Sequence, residues 1–380
     1  LLRALGQCHE VSLLSFAFGT AKPELATEFD DICAEVRVVC QNPMERGRLA
    51  QWTRFFSATP IVNRPLPEMT RAARAMMDGR SYDAVIASVE VAASYAMLAH
   101  PSTARILEEH NSFSRWMWER YQRQTDIMQR LRCWTSWQKM RTYEARLFRQ
   151  LDLVTMVSEE DRLACQRMLP YSGPLEVVPN GVDCERNRPD WPTKQPHTLI
   201  YNGALTYSAN YDAMRYFLGE IYPLVKQQLP EVSLTITGST AGVDLLGLAL
   251  DDSVRLSGYV DDIRPLVAGS VACVVPLREG GGSRLKILEA MALGTPVIST
   301  RKGAEGLDVV DGEHLLLADE PASFAALTLG LLKDEGLRRH LAANARRLVE
   351  ERYDWRGIGQ RFVDLVEETV ERKRSVIRHA

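Results

Sequence analysis

The sequence predicts an α/β protein built of two Rossmann-like, doubly wound domains facing a central cleft. Three observations carry that prediction. The 380 residues exceed what one ordinary hydrophobic core can organise. Short β-branched runs alternate with longer helical patterns along the chain, as in parallel sheets covered by helices. A proline-rich, aperiodic stretch, "GVDCERNRPDWPTKQPH" (181–197), interrupts the alternation near the middle and reads as a linker.

Taken in order, strands are expected at 10–16 (EVSLLSF), 35–39 (EVRVV), 82–88 (YDAVIAS), 104–109 (ARILEE), 153–158 (LVTMVS) and 175–180 (LEVVPN). After the linker they are expected at 198–203 (TLIYNG), 232–238 (VSLTITG), 254–259 (VRLSGY), 271–276 (VACVVP), 296–300 (PVIST) and 314–318 (HLLLA). The domains are set at 1–181 and 182–356, with 357–380 a C-terminal helix packing back on the first. The chain begins inside a helix rather than on a strand and glycine turn, so the first strand of the N-terminal domain is expected to be absent. Ligands of such sheets bind beyond the strand C-terminal ends, so the loops there are the places to seek function.

Composition narrows the class. With 46% hydrophobic and 25% charged residues the chain is neither disordered nor fibrous. No apolar run approaches the roughly 20 residues of a membrane span, and the first residues carry no leader pattern, so a cytoplasmic protein is expected. Seven scattered cysteines fit free thiols, without zinc spacing, and no metal site is expected. A net charge of −3 argues against a nucleic-acid partner. From 113 to 149, however, nine Lys/Arg face three Asp/Glu, beside four of the seven tryptophans. Phe113, Met117, Met128, Leu131, Met140, Leu147 and Phe148 approximate one stripe, so a single long amphipathic helix is expected. Its basic face would either be solvated or rest on anionic lipid, a peripheral membrane contact.

The stretch "REGGGSRLKILEAMALGTPVIST" (278–300) combines three glycines with a helix start, two cations and an acid. Gly280, Gly281 and Gly282 allow close approach of backbone to a ligand, Ser283 reads as the N-cap, and Leu285, Ile287, Leu288, Met291 and Leu293 as the buried side. Arg284 and Lys286 fall in the first turn, where the helix dipole opposes a cation unless an anion lies nearby. A diphosphate would be such an anion, and Glu289 would then reach the attached ribose. The alternative is a glycine-rich surface turn before a capped helix.

These residues, with "YNGALTYSANYDAMRYF", "SLTITGS", "LSGYVDDIRPLV" and "GAEGLDVVDGEHLLLAD", resemble the C-terminal domain of family-four, group 1 type glycosyltransferases of the GT-B fold, over most of 150–370. The resemblance implies transfer from a nucleoside-diphosphate sugar with retention of anomeric configuration. It implies no required metal and no cofactor beyond the nucleotide-sugar co-substrate, and the sequence holds no D-x-D. Donor-binding positions are then Gly203, Gly238, Tyr259, Val260, Glu279, Gly280, Gly281, Gly282, Ser283 and Glu289. In the first domain it points to His110 as a group that orients the donor sugar, and to Asn111 and Ser158 on the acceptor side. Ser158 and Asp161 also read as a capping pair. Two departures stand out. The first acid of the family's E-x(7)-E motif falls on Gly281, with Glu279 as the substitute. No cation follows the first strand in "NGALTYSAN", so Arg284 and Lys286 are expected to carry the diphosphate charge as catalytic groups beside His110. The acceptor is expected to be a sugar or a lipid-linked molecule. The rival readings are a GT-B nucleotide-sugar epimerase and a non-catalytic nucleotide-sugar-binding subunit. No serine-triad, H-E-x-x-H or P-loop signature supports other chemistry.

Overall fold

The computed structural model describes residues 1–18, 27–45, 60, 63–110, 112–169, 173–191, 194–280 and 284–379, and the chain divides into two units. Unit 1 comprises Leu1–Pro179 and Ile358–Ala380, and unit 2 comprises Asn180–Gly357.

Among the described residues, unit 1 holds six of the twelve strands, each inside a short, mainly apolar stretch. β1 (Ser12–Phe16) pairs in parallel with β2 (Glu35–Val39). β3 (Ala84–Ser88), β4 (Ala104–Glu108), β5 (Leu153–Met156) and β6 (Leu175–Val177) form a four-stranded parallel sheet in that order. Among the described residues the two sheets are separate. β4 and β5 carry residues buried on both faces, as a parallel sheet covered by helices requires. The helices used below are α1 (Leu2–Cys8), α2 (Pro67–Met77), α3 (Glu90–Ala96), α4 (Phe113–Arg123), α5 (Ile127–Phe148) and α6 (Glu159–Met168). The last helix of the chain, Trp355–His379, contributes to unit 1 from Ile358 onward. There Lys373 pairs with Asp152 at 2.9 Å and Arg374 with Asp83 at 2.7 Å.

The single long helix expected over 113–149 is two helices. Asp126 ends the first run by capping the second, its carboxylate accepting from the Gln129 backbone N–H at 2.8 Å. The two then fold against each other. Trp118 stacks on Trp137 with ring centroids 4.5 Å apart, and the Glu144 carboxylate accepts from both the backbone N–H and the hydroxyl of Ser114. Met140, Leu147 and Phe148 are buried at the base of this hairpin, whereas Met128 and Leu131 of the expected stripe are exposed.

Unit 2 is a six-stranded parallel sheet in the order β12-β11-β10-β7-β8-β9. Its strands are β7 (Thr198–Asn202), β8 (Ser233–Thr237), β9 (Val254–Gly258), β10 (Ala272–Val275), β11 (Val297–Ser299) and β12 (Leu316–Leu317). The order reverses direction beside β7, leaving the C-terminal ends of β7 and β10 side by side. Doubly wound sheets bind ligands at such a switch. The helices that frame this edge are α7 (Ser208–Tyr216) and α8 (Leu285–Ala292).

The proline-rich segment read as a linker is tied into unit 2. Val182 and Cys184 are buried, and the Arg346 guanidinium donates to the carbonyls of Cys184, Asn187 and Ala292. Lys194 donates to the carbonyls of Ala268 and Ser270 and to Thr295 Oγ1. The half-buried Arg346 satisfies backbone acceptors that an aperiodic stretch cannot satisfy itself, and the half-buried Lys194 ties the stretch to its neighbours. Among the described residues, no helix is long and apolar enough to cross a membrane.

Three carboxylic acids, Glu90, Glu109 and Glu144, lie buried together in unit 1. Burial raises all three, with mutual repulsion adding at Glu90 and Glu109, and Glu144 is pushed up to about 7. The unfolded chain releases these protons in the ordinary carboxylate range while the folded chain keeps them. Stability therefore falls as pH rises from that range toward the folded values, by about 1.4 kcal/mol per pH unit for each proton kept. The thermal midpoint is expected to be higher near pH ~5 than near pH ~8, and Glu90→Gln should flatten the slope and raise the midpoint at the alkaline end. A Glu90→Gln protein with an unaltered pH profile would show that Glu90 ionises freely.

Candidate functional site

The site in unit 2 grows from the loops that leave β7, β8 and β10. Gly203 follows β7, and a Cβ there would lie 2.8 Å from Lys286 Nζ and 3.0 Å from Asn210 Nδ2. Gly238 follows β8 with φ +96°, and a Cβ on it would come within 2.6 Å of the Ala204 backbone. Glycine is what lets these two turns press together at the sheet edge. Gly280, also at positive φ, lies beside Tyr207 and Ala209, and the adjoining Arg278 forks onto Asp212 and covers the Tyr216 ring. The turn after β10 is thereby fixed to α7. Glu279 sits between Arg278 and Gly280 on this turn, half-buried.

Lys286 reaches from α8 to the loop after β7. Its ammonium donates to Tyr201 Oη and Asn210 Oδ1, each at 2.8 Å, and lies 4.1 Å from the Tyr201 ring centroid. Tyr201 Oη donates to the same Asn210 oxygen at 2.7 Å, and Asn210 Nδ2 donates to the Ala204 carbonyl. Burial lowers the Lys286 ammonium to about 7, with Arg284 lowering it further and Glu289 opposing. A lysine on a helix therefore occupies the position below the first loop of the sheet, where "NGALTYSAN" supplies no cation.

Glu289, one turn further along α8, accepts from Asn202 Nδ2 at 3.2 Å, and Asn202 also donates to the Lys286 carbonyl. Cys273 Sγ donates to Asn202 Oδ1 at 3.4 Å, which fixes the amide orientation. Burial raises the Glu289 carboxyl, with Asn202 and Lys286 opposing. Lys286, Glu289, Gly203, Gly238 and Gly280 thus share one sheet edge.

Arg284 differs from its expectation. It is the N-cap of α8 rather than a first-turn residue, so the cap assigned to Ser283 falls one position later. Its side chain is buried, with Nη2 donating to the carbonyls of Gly280 and Lys302 and lying 3.6 Å from Glu305. The anion that a cation at this helix start requires is supplied by Glu305 of the protein itself. Leu285, expected on the buried side, is 44% exposed, while Ile287, Leu288, Met291 and Leu293 are buried. Gly281, Gly282 and Ser283 lie outside the described residues. Tyr259 and Val260 follow β9, with the Tyr259 side chain exposed.

In unit 1, His110 follows β4. Its Nε2 meets Glu108 Oε1 at 2.8 Å, and Ser88 Oγ donates to Glu108 Oε2 at 2.8 Å. The hydrogen bond to Glu108 raises the His110 imidazole against its partial burial. Burial would raise the Glu108 carboxyl, but hydrogen bonds from His110 and Ser88 outweigh it and hold the group low. Ser158 is buried and caps α6, accepting from the Asp161 N–H and donating to Asp161 Oδ2, and Asp161 pairs with Arg115 at 2.9 Å. Its hydroxyl is committed to the helix start. Asn111 lies outside the described residues. The sequence reading passed over Tyr201, Asn202, Asn210, Ser88 and Glu108. All but Asn210, in the first turn of α7, are at strand ends, the one signal by which they could have been found. Among the described residues no group of three or more His, Cys, Asp or Glu is placed to hold a metal ion.

Residues 1–186 match the family model described as Glycosyltransferase Family 4, and residues 196–334 match that described as Glycosyl transferases group 1. A phosphatidyl-myo-inositol mannosyltransferase of Mycobacterium leprae is 30% identical over 50% of this chain and 52% of its own length. An MMP alpha-(1->4)-mannosyltransferase of Mycolicibacterium hassiacum is 29% identical over 64% of this chain and 59% of its own. The chain spans about half the length of the curated relatives it matches. Among solved structures, sucrose-phosphate synthase of Thermosynechococcus elongatus has a TM-score of 0.73 at 18% identity, over 96% of this chain and 90% of that one. Anabaena HepE, solved in complex with UDP and glucose, has a TM-score of 0.67 at 16% identity, over 96% and 94%. These likenesses show the GT-B fold, two α/β domains with parallel sheets.

Asn210 joins the lysine, the tyrosine and the loop after β7, so its loss leaves several buried polar groups short of partners. Asn210→Ala is expected to lower unfolding free energy by about 1–3 kcal/mol. Denaturant titration checks this, and an unchanged midpoint would show that the network does not hold Lys286 in place.

Proposed function

The chain belongs to the group 1 and family 4 glycosyltransferases, and from that premise we propose that it moves a sugar from a nucleoside-diphosphate sugar to a glycan, lipid-linked or small-molecule acceptor with retention of configuration. The observation that carries this reading is the desolvated Lys286 ammonium beneath a glycine turn, one helical turn from a half-buried carboxylate. When the bond between the anomeric carbon and the diphosphate oxygen breaks, its electron pair passes to that oxygen. A cation already stripped of water stabilises the new charge strongly without reorganising.

In this reading Lys286 faces the diphosphate, and the backbone of the glycine turn, Gly280 to Gly282 with Ser283, lies along it. Glu289, oriented by Asn202, accepts hydrogen bonds from the ribose hydroxyls. Arg284 serves by holding the turn in shape through the carbonyls of Gly280 and Lys302. Tyr259 and Val260 lie toward the base, and Glu279 stands in for the family's first acid. His110, held by Glu108, acts on the transferred sugar through position and charge rather than as a nucleophile. No resident cofactor is part of the scheme. A nucleotide complex of a protein with the same fold, HepE, supports the donor class, and the mannosyltransferase relatives support the reaction class. A cytoplasmic enzyme working on a lipid-linked acceptor, with a peripheral membrane contact through 113–149, completes the proposal.

Calorimetry with a panel of nucleoside diphosphates tests the donor site. Glu289→Gln should weaken the tightest binder by about 1.5–3 kcal/mol while leaving the fold intact. Affinity should also decline as pH rises above about 7, because the ammonium must be charged to meet the diphosphate and burial has brought it into that range. Lys286→Met should abolish that decline and lower the turnover number for donor hydrolysis more than it raises KM. Unchanged affinity in Glu289→Gln, together with a pH-independent wild type, would move the donor site elsewhere.

A further inference from the structure

We propose that the free end of the α4–α5 hairpin, residues 125–136, is a docking surface for a bilayer rich in anionic headgroups. The inference deepens the reading of a lipid-linked acceptor, yet the surface stands on its own observations. The base of the hairpin is fixed: Trp118 stacks on Trp137, Arg115 pairs with Asp161, and Arg141 donates to the Met168 carbonyl. Beyond that base the chain is uncovered. Ile127 is 81% exposed, Met128 73% and Leu131 56%. Ile127, Leu131 and Trp134 recur at helical spacing on α5, so three large apolar side chains form one bare stripe with Met128 alongside.

The polar surroundings of that stripe decide what covers it. Between 120 and 136 the chain carries four arginines, Arg120, Arg123, Arg130 and Arg132, and a single acid, Asp126. Asp126 already accepts the helix-capping hydrogen bond. Arg130 lies over the Tyr121 ring and Arg120 over the Trp116 ring, which holds guanidinium groups beside the aromatic side chains. A protein partner would leave a ring of like charge to be matched residue by residue. A bilayer accepts the apolar stripe at its acyl boundary and the arginines at its phosphates together. Exposed patches of this composition mark interaction sites rather than ordinary surface.

Cosedimentation of the full chain with phosphatidylcholine vesicles, with and without phosphatidylglycerol, at low and high salt, tests the proposal. The wild type is expected to pellet with the anionic vesicles, less so at high salt. Binding should fall about tenfold or more in Arg130→Glu/Arg132→Glu and similarly in Ile127→Ser/Met128→Ser/Leu131→Ser. Far-UV circular dichroism and the thermal midpoint should be unchanged in both variants, which shows that they fold. Absence of pelleting, equal pelleting with neutral vesicles, or variants that bind as the wild type does would each overturn the assignment. A dimer in sedimentation velocity that the apolar variant dissolves, with no vesicle binding, would overturn it in favour of a second copy of the chain. Donor hydrolysis is read separately, so a wild type that pellets but cleaves no donor retains the docking surface and loses the transferase reading.

Discussion

An ammonium group taken out of water must find partners or give up its proton, and the organisation of unit 2 around Lys286 follows from that constraint. Tyr201, next to the end of β7, points its hydroxyl at the lysine, Asn210 in the first turn of α7 turns its amide oxygen toward both, and the loop between them carries a glycine because a Cβ would crowd the ammonium. Helix α8 is also held at its start by Arg284, whose guanidinium donates to the carbonyls of Gly280 and Lys302. Helix α8, distant in sequence, is thereby brought to one sheet edge with the consecutive β7 and α7. The two cations divide their work: Arg284 is compensated inside the protein, and Lys286 is satisfied by neutral groups that leave its charge available.

The same division explains where the sequence was informative. The twelve expected strands lie in short, mainly apolar runs, many of them rich in β-branched residues, because a parallel strand is apolar on both faces and that pattern is local. The gathering of Lys286, Glu289 and the glycines was legible for a related reason, since most of it sits in one contiguous turn and helix. Tyr201, Asn202 and Asn210 were not, because an amide or phenol at a strand end looks alike in sequence whether it faces water or a lysine.

The expectation of a single helix over 113–149 failed for a specific physical cause. The stretch 113–149 reads as one helix by periodicity, but Asp126 and Gln129 form a cap signal, D-x-x-Q, that starts a new helix in the middle of the run. Periodicity continued across the break because both helices of the hairpin have a buried side. The proline-rich segment after residue 181 reads as a linker because it lacks periodicity, yet Lys194 and Arg346 bind its own or its neighbours' carbonyls. Those contacts span long sequence separations. Unit 1 carries a comparable hidden feature, for Glu90, Glu109 and Glu144 come together only in the fold. Val89, between Ser88 and Glu90, has φ of 61°, an arrangement that costs a β-branched residue on the order of 1–3 kcal/mol.

The central claim is that Lys286 is a desolvated cation kept ready for an anionic ligand. Following the 13Cε resonance of Lys286 by NMR through a pH titration, assigned by its loss in Lys286→Met, reads this directly. A midpoint of about 7 is expected in the free protein. It should rise by about two pH units when a nucleoside diphosphate is bound, as an opposite charge at close range favours the protonated form. A free-protein midpoint in the ordinary lysine range, unmoved by nucleotide, would mean that Lys286 is no such cation.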